Sequence, residues 1–234
     1  MIRLMRGESA MRSMRSMRSL VSTLLVVLVP VLVPVLGACA TGGTVQGLIG
    51  FVDFDDDALQ LEVDGDEVLD GGGASMPTLG AAVQLPGVGR GAVTAGWEWG
   101  GTLSWESDFG TVSTGNGGLL VVSDNDYLLF DVFGGAYVNV VLGEAWRMYG
   151  GAGPLFQYGR VDLEYVDESD ELIDVGGDGF GLGVYGRAGI ERLVDSTHFG
   201  VGVRWVSSTI EPGSGIDELE IEGWQFLITA TQAL

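Results

Sequence analysis

The chain has 234 residues and a formal net charge of −21, because 32 carboxylates face 11 arginines and no lysine. Nucleic acid would repel so acidic a chain, which excludes nucleic-acid binding. The single cysteine likewise excludes a disulfide within the chain.

The first 38 residues are predicted to be a secretory leader. Five arginines among the first eighteen residues form its basic start, and an apolar run extends from Leu20 to Leu36. Pro30 and Pro34 interrupt this run, so a stable spanning helix is a poor interpretation. Removal of the leader would take away those five arginines and one carboxylate. The mature chain would therefore be more acidic still.

The leader ends in Leu36-Gly37-Ala38-Cys39, and Cys39 is the only cysteine. This tetrapeptide resembles the lipobox of bacterial lipoproteins, where a peptidase cleaves before the cysteine and the thiol is lipidated. The resemblance implies a signal peptide over residues 1–38 and lipidation of Cys39. Ala40, in place of an aspartate, resembles the pattern for sorting to the outer membrane. The alternative is an ordinary signal peptide that ends beside a chance cysteine.

A tether over residues 39–43 precedes the first predicted strand, Thr44 to Phe54, whose alternation is the weakest of the set. An acidic stretch from Asp53 to Asp70 follows. Three glycines at 71–73 and then Pro77 close this long connection.

Two strands with cleaner alternation come next. The second strand is predicted from Thr78 to Leu85, and a short turn over residues 86–90 joins it to the third, Val93 to Glu106. A long polar stretch from Ser107 to Asn125 leads on to the fourth strand.

The most regular pattern in the chain lies between Tyr127 and Arg160, YLLFDVFGGAYVNVVLGEAWRMYGGAGPLFQYGR. It predicts two long strands joined by a tight turn at residues 143–145. Alternation is sustained for about fifteen residues, where an ordinary strand has five or six. Such a strand can cross a bilayer at a tilt, which takes about ten residues.

Three further strands complete the chain, and they are predicted at Phe180–Val194, His198–Ile210 and Ile221–Leu234. The connections alternate between long and short, and the short ones lie at the same end as both termini. Outer-membrane barrels show this asymmetry. The predicted fold class is therefore all-β, a single eight-stranded antiparallel up-and-down transmembrane β-barrel over residues 44–234.

Alternation alone does not say which face of the barrel is inside, because a soluble barrel alternates with its faces exchanged. One face of these strands is almost wholly Leu, Val, Phe, Ala and Trp. The other carries Gly, Ser, Thr, Gln and Tyr with a few charges of both signs. Charges of both signs suit a closed interior where they pair. The predicted polar network of the barrel interior comprises Glu98, Asp131, Arg147, Arg187, Glu191 and Arg204.

Four segments, WRMYGGAGPLFQYG, GVYGRAGIER, HFGVGVRWVSS and GWQFLITATQAL, resemble the eight-stranded outer-membrane β-barrel superfamily. That group includes the transmembrane domain of outer membrane protein A. The resemblance covers about residues 44–234, rests on a glycine and aromatic texture, and implies a barrel in the bacterial outer membrane. The chain departs from the family at Ala233-Leu234, where a terminal aromatic residue is usual, and in having a lipobox before the barrel.

Two other groups of residues invite a chemical interpretation. His198, the only histidine, lies close to Asp195 and Ser196, but neighbours in one turn do not readily converge as a catalytic triad. No enzymatic activity and no cofactor are therefore predicted. The acidic loops offer oxygen ligands to Ca²⁺, although without the spacing of an EF-hand. The candidate divalent-cation loop comprises Asp53, Asp55, Asp56, Asp57, Asp64 and Asp66.

These observations predict a non-enzymatic outer-membrane β-barrel lipoprotein with a structural or surface-interaction role. Its lipid anchor would lie on the periplasmic side and its acidic loops outside the cell. The expected partners are outer-membrane lipid or lipopolysaccharide and divalent cations, and a monomer is expected. Two alternatives are a narrow conduit for ions or small solutes, and a soluble, lipid-anchored periplasmic barrel that binds an apolar ligand.

Overall fold

The computed structural model describes residues 42–54, 60–63, 66–70, 75–108, 111–113, 119–121, 124–166, 172–212 and 219–234. Thirteen strands occur within these ranges. They are β1 (Thr44–Phe54), β2 (Gln60–Val63), β3 (Asp66–Asp70), β4 (Ser75–Gln84), β5 (Val88–Arg90), β6 (Val93–Asp108), β7 (Thr111–Ser113), β8 (Leu119–Val121), β9 (Asp124–Leu142), β10 (Trp146–Val166), β11 (Leu172–Val194), β12 (Thr197–Pro212) and β13 (Leu219–Ala233). Among the described residues, no helix has the length and apolar character needed to cross a membrane.

Eight of the strands form a closed antiparallel barrel. The strands pair in the order β4, β1, β13, β12, β11, β10, β9 and β6, and β6 pairs again with β4. The first and last barrel strands are neighbours, from Thr44 opposite Ala233 to Phe54 opposite Gly223. The prediction of an eight-stranded antiparallel up-and-down barrel is confirmed.

The barrel has two unlike ends. At one end, here named the turn end, β9 and β10 are joined by residues 143–145, and β11 and β12 by Asp195 and Ser196. Gly143 and Asp195 adopt positive φ angles of 69° and 56°, a conformation that glycine and aspartate tolerate better than most residues. The opposite end, the loop end, carries the longer connections, which makes the ends as asymmetric as the sequence predicts.

Three short pieces of structure differ from the predicted connections. The acidic stretch after β1 does not extend a barrel strand, because β2 and β3 pair only with each other. The polar stretch before β9 likewise contains its own small hairpin of β7 and β8. At the turn end, β5 folds back on the start of β6, so residues 88–90 of the predicted turn form one arm of a small hairpin.

Apolar side chains fill the middle of the barrel. Phe133 and Tyr185 pack with ring centroids 4.7 Å apart, and aliphatic side chains surround them. We call this group the waist cluster, and it comprises Leu48, Ala82, Phe133, Leu155, Tyr185, Val206 and Leu227, all at most 5% exposed. On its loop-end side Leu129 and Ile210 approach each other across Gly159, where there is no side chain. The lumen is therefore packed at its centre.

Candidate functional site: charged interior and apolar exterior

The outward face of the barrel is apolar across its middle. Trp97 is 68% exposed, Leu182 76% and Ile228 63%, and they belong to a large group of exposed apolar side chains on this face. An apolar surface of this extent would be unfavourable in contact with water. Among the strand residues whose side chains the structure describes, the outward charged ones lie in the outer thirds of their strands. They are Asp53, Arg90, Arg160, Asp178, Arg192, Glu220 and Glu222. An apolar belt between two polar rims is the exterior of a barrel that sits in lipid.

Arg204 and Asp131 form a buried ion pair on the loop-end side of the waist. Arg204 is fully buried and projects from β12, three strands away from Asp131 on β9. Its two terminal nitrogens donate to Oδ1 and Oδ2 of Asp131, each at 2.9 Å. Thr102 donates a further hydrogen bond to Oδ2 at 2.5 Å, and Arg204 also donates to Oε1 of Gln225 at 2.9 Å. This two-point geometry is the stronger form of the pair.

Arg187 and Glu98 form a second pair on the turn-end side of the waist. Arg187 Nε donates to Glu98 Oε1 at 2.8 Å, and its Nη2 contacts Oε2. The Tyr185 hydroxyl donates to the same Oε1 at 3.0 Å, and Gln84 donates to Oε2 at 3.2 Å. Because β6 and β11 are three strands apart, this pair crosses the lumen.

The third pair, Arg147 with Glu191, lies nearest the turn end. These residues are register partners on β10 and β11, and Arg147 Nε donates to Glu191 Oε2 at 3.1 Å. The other carboxylate oxygen accepts three hydrogen bonds, from Gln46 at 2.7 Å, Thr229 at 2.7 Å and Thr231 at 2.8 Å. Glu191 is fully buried and fully used as an acceptor.

Gln46 and Phe133 connect the three pairs. Gln46 donates to Glu191 and accepts from Arg187 Nη1 at 2.6 Å, so one amide joins the two turn-end pairs. Phe133 lies between Arg187 and Arg204 and so links the turn-end pairs to the loop-end pair. Its ring centroid is 4.6 Å from Cζ of Arg204 and 5.8 Å from Cζ of Arg187. Cation–π attraction of this kind strengthens when it is shielded from water.

The structure thus places all six charged residues of the predicted network inside the barrel and joins them in three pairs of opposite sign. Their formal charges cancel, which offsets part of the cost of burial. The partners that the sequence analysis missed are neutral. They are Gln46, Gln84, Thr102, Tyr185, Gln225, Thr229 and Thr231. Period-2 alternation places most of them on the inward face of their strands, but it does not pair them with a charge, and on β1 it is too weak to single out Gln46.

Other predicted site residues lie elsewhere. Asp195 and Ser196 form the turn between β11 and β12, whereas His198 is in β12 opposite Leu193 and Thr231. Asp53 points outward at the loop end of β1. The described residues contain no group of three or more His, Cys, Asp or Glu arranged to hold a metal ion. Cys39, Asp55, Asp56, Asp57 and Asp64 lie outside the described residues, as does the side chain of Asp66.

The closed strand order, the lipid-facing belt and the paired interior charges define an eight-stranded β-barrel of the outer-membrane type. Solved structures with a similar arrangement include Neisserial surface protein A, with 12% identity over 82% of this chain and 97% of that one, at a TM-score of 0.46. Another is OprG of Pseudomonas aeruginosa, with 14% identity over 82% and 96% of the two chains and a TM-score of 0.42.

A third structure with this arrangement is Ail of Yersinia pestis in complex with the heparin analogue sucrose octasulfate. It has 13% identity over 81% and 99% of the two chains and a TM-score of 0.40. No protein-family model and no curated protein sequence matches the chain.

Proposed function

We propose that this protein is a non-enzymatic outer-membrane lipoprotein whose barrel holds acidic loops at the cell surface. The observation that carries the proposal is the interior of the barrel. Arg204 with Asp131 and Arg187 with Glu98 cross the lumen on either side of the packed waist cluster. An eight-stranded barrel has room for little besides such side chains. The loops and the outer wall are therefore the surfaces left for function.

The orientation follows from the two ends of the barrel. Outer-membrane barrels carry tight turns on the periplasmic side and longer loops outside. We assign the turn end to the periplasm, where Thr44 would follow a lipidated Cys39 by five residues. An acyl anchor at that position would lie in the inner leaflet beside β1. The monomer would then be held both by the barrel and by lipid.

The loop end has the chemistry of a surface that gathers divalent cations. Four outward carboxylates lie in the loop-end third of their strands. They are Asp53, Asp178, Glu220 and Glu222. Two of them also accept hydrogen bonds from aromatic residues, Glu222 from Trp205 at 3.2 Å and Asp178 from Tyr158 at 3.3 Å. Ca²⁺ or Mg²⁺ could bridge such carboxylates to the phosphates of lipopolysaccharide.

Planar-bilayer recording tests the proposal against the conduit. Purified barrel should insert without steady ion conductance, because opening a path requires breaking the charge pairs that cross the lumen. A fourfold variant, with Glu98, Asp131, Arg187 and Arg204 all changed to alanine, removes two of these crossings without leaving a charge unpaired and is the positive comparison. Steady conductance by the unaltered protein would contradict the proposal and favour a conduit.

Lipopolysaccharide binding tests the role of the loops. Association measured in Ca²⁺ should fall when Asp53, Asp55, Asp56 and Asp57 are all changed to asparagine, and chelation should abolish it in the unaltered protein. Asp195→Asn, at the turn end, is the matched control. Equal binding by both variants would mean that the loop carboxylates are not the contact.

Lipidation has its own test. Radioactive palmitate should label the unaltered protein and should not label Cys39→Ser. Label on the serine variant would place any acyl group elsewhere.

A further inference from the structure

An apolar groove crosses the lipid-facing wall over five strands. Its floor is the outer backbone of consecutive register partners, among them Gly50 on β1, Gly202 on β12 and Gly189 on β11. Their side-chain positions face the lumen, so no side chain rises from the floor. The groove has a volume of about 700 Å³. From β1 to β10 it spans four strand spacings, a length of roughly 19 Å.

The two walls of the groove are rows of outward apolar side chains. Phe51 and Phe226 stack at 5.4 Å and form the higher part of one wall, which becomes low at Ala188. Ile228, Val201 and Met148 lie along the other wall. Because Met148 is the third residue of β10 and Phe51 the eighth of β1, the groove rises obliquely from the turn end toward the middle of the barrel. Its length and apolarity suit one extended acyl chain.

A cation lies just beyond the turn-end wall of the groove, one outward position from Ile190 and Met148. Arg192 follows Ile190 on the outward face of β11 and is the register partner of Trp146, which precedes Met148 on β10. The guanidinium lies over the Trp146 ring, with Cζ 5.8 Å from the centroid. Among the described residues no carboxylate lies within salt-bridge distance of Arg192. The guanidinium of Arg192 is therefore at the turn-end rim of the apolar belt, and no described carboxylate balances its charge.

From this juxtaposition we infer that the groove and Arg192 bind one glycerophospholipid of the periplasmic leaflet. One acyl chain lies in the groove, and the phosphate diester pairs with the guanidinium that Trp146 supports. Arginine suits phosphate because its fork of donors matches two oxygens at once. The inference rests on the membrane placement proposed above, but it is independent of what the acidic loops bind.

Native mass spectrometry of the detergent-solubilised barrel provides the test. The probes are phosphatidylglycerol and a diacylglycerol with the same acyl chains but no phosphate. One phosphatidylglycerol should be retained per barrel, and more tightly than the diacylglycerol. Arg192→Gln should weaken phosphatidylglycerol binding about fivefold, as expected for one exposed charge pair, and leave diacylglycerol binding unchanged.

A second variant probes the groove itself. Ala188→Leu raises the low part of the wall and should weaken the binding of both lipids. Matched controls are Arg90→Gln, another exposed arginine at the turn end, and Ala136→Leu, another outward alanine away from the groove. Both controls should bind as the unaltered protein does. A compact unboiled band on a gel establishes that each variant is folded.

Several outcomes would overturn the inference. Equal binding of the two lipids would show that the phosphate is not recognised. Equal effects of Arg192→Gln and Arg90→Gln would show that Arg192 is not the residue that binds it. Binding that occurs only in Cys39→Ser would show that the protein's own acyl chain fills the groove. A protein that stays dispersed without detergent would refute the membrane placement as well, whereas lipid binding that no variant alters refutes this inference alone.

Discussion

Arg204 is fully buried, and Asp131 is the carboxylate that balances its charge. Removing one member of a buried pair costs more than the pair itself is worth, because the other charge is left without a partner in a dry environment. The same reasoning applies to the other two pairs. At the scale of single residues, the stability of the barrel is therefore sensitive to the loss of one member of a pair. It tolerates better the loss of both members of the same pair.

The variant Arg204→Met should lower the free energy of unfolding by about 3–5 kcal/mol, since it strands the Asp131 carboxylate. The double variant with Asp131→Leu should recover most of that loss. Urea unfolding in lipid vesicles, followed by gel mobility without boiling, measures both. A double variant as unstable as the single one would mean that packing, and not charge, explains the effect.

Gly151 makes room for the second pair. A Cβ atom at this inward position would overlap the Glu98 carboxylate, which Arg187 and Tyr185 hold in place. Gly151→Val should therefore destabilise the barrel by roughly 1–3 kcal/mol, as overpacked positions do. Gly186→Val is the control, because an added Cβ there meets nothing within 4 Å. If both variants unfold at the same urea concentration, the overlap is relieved at little cost.

At the scale of the strand, β9 shows the cost of placing a charge in lipid. Val138 and Leu142 are outward and equally exposed, at 40% and 43%, but Leu142 adjoins the turn. Val138→Arg should cost roughly 2–4 kcal/mol near mid-bilayer, whereas Leu142→Arg, and Leu128→Arg beside Arg160 in the loop-end rim, should each cost about 0–1 kcal/mol. The folded fraction recovered from membranes measures this. Equal recovery of Val138→Arg and Leu142→Arg would argue that this face does not meet lipid.

The strands could be predicted from the sequence because alternation is a local property. The positions of the prolines relative to the strands were predicted less well. Pro77 was expected to close a loop, yet it lies within β4. At that residue β4 pairs with β1 only, since pairing with β6 starts at Thr78, so the missing N–H is tolerated. Pro154 lies inside β10 where pairing with β9 is interrupted between Ala152 and Leu155.

The interior residues were placed by the same alternation, but their partners were not. Whether Arg187 meets Glu98 or Asp131 depends on how strands three apart are staggered around the barrel, and no local pattern contains that stagger. Gln46 escaped notice for a related reason. The inward positions of β1 mix polar and apolar residues, so its role between Arg187 and Glu191 becomes evident only when the ring is closed.

At the scale of the whole molecule, the barrel is a ring whose termini meet at one end. Thr44 is opposite Ala233, so a short linker could join them without disturbing the wall. A circular permutant opened in the turn at residues 143–145 should fold and show a compact unboiled band. The matched permutant, opened between Ala136 and Tyr137 in the middle of β9, should not. Folding of both would mean that the wall does not depend on unbroken strands.

Closure of β1 on β13 has a consequence for recognition. An open sheet offers a row of free amides and carbonyls, and many proteins capture an extended peptide by adding it there as one more strand. A wall that returns to its own first strand has no such row. A partner that contacts the barrel wall, as distinct from the small hairpins outside it, must therefore be chosen by side chains, and its specificity can change by substitution while the wall stays the same.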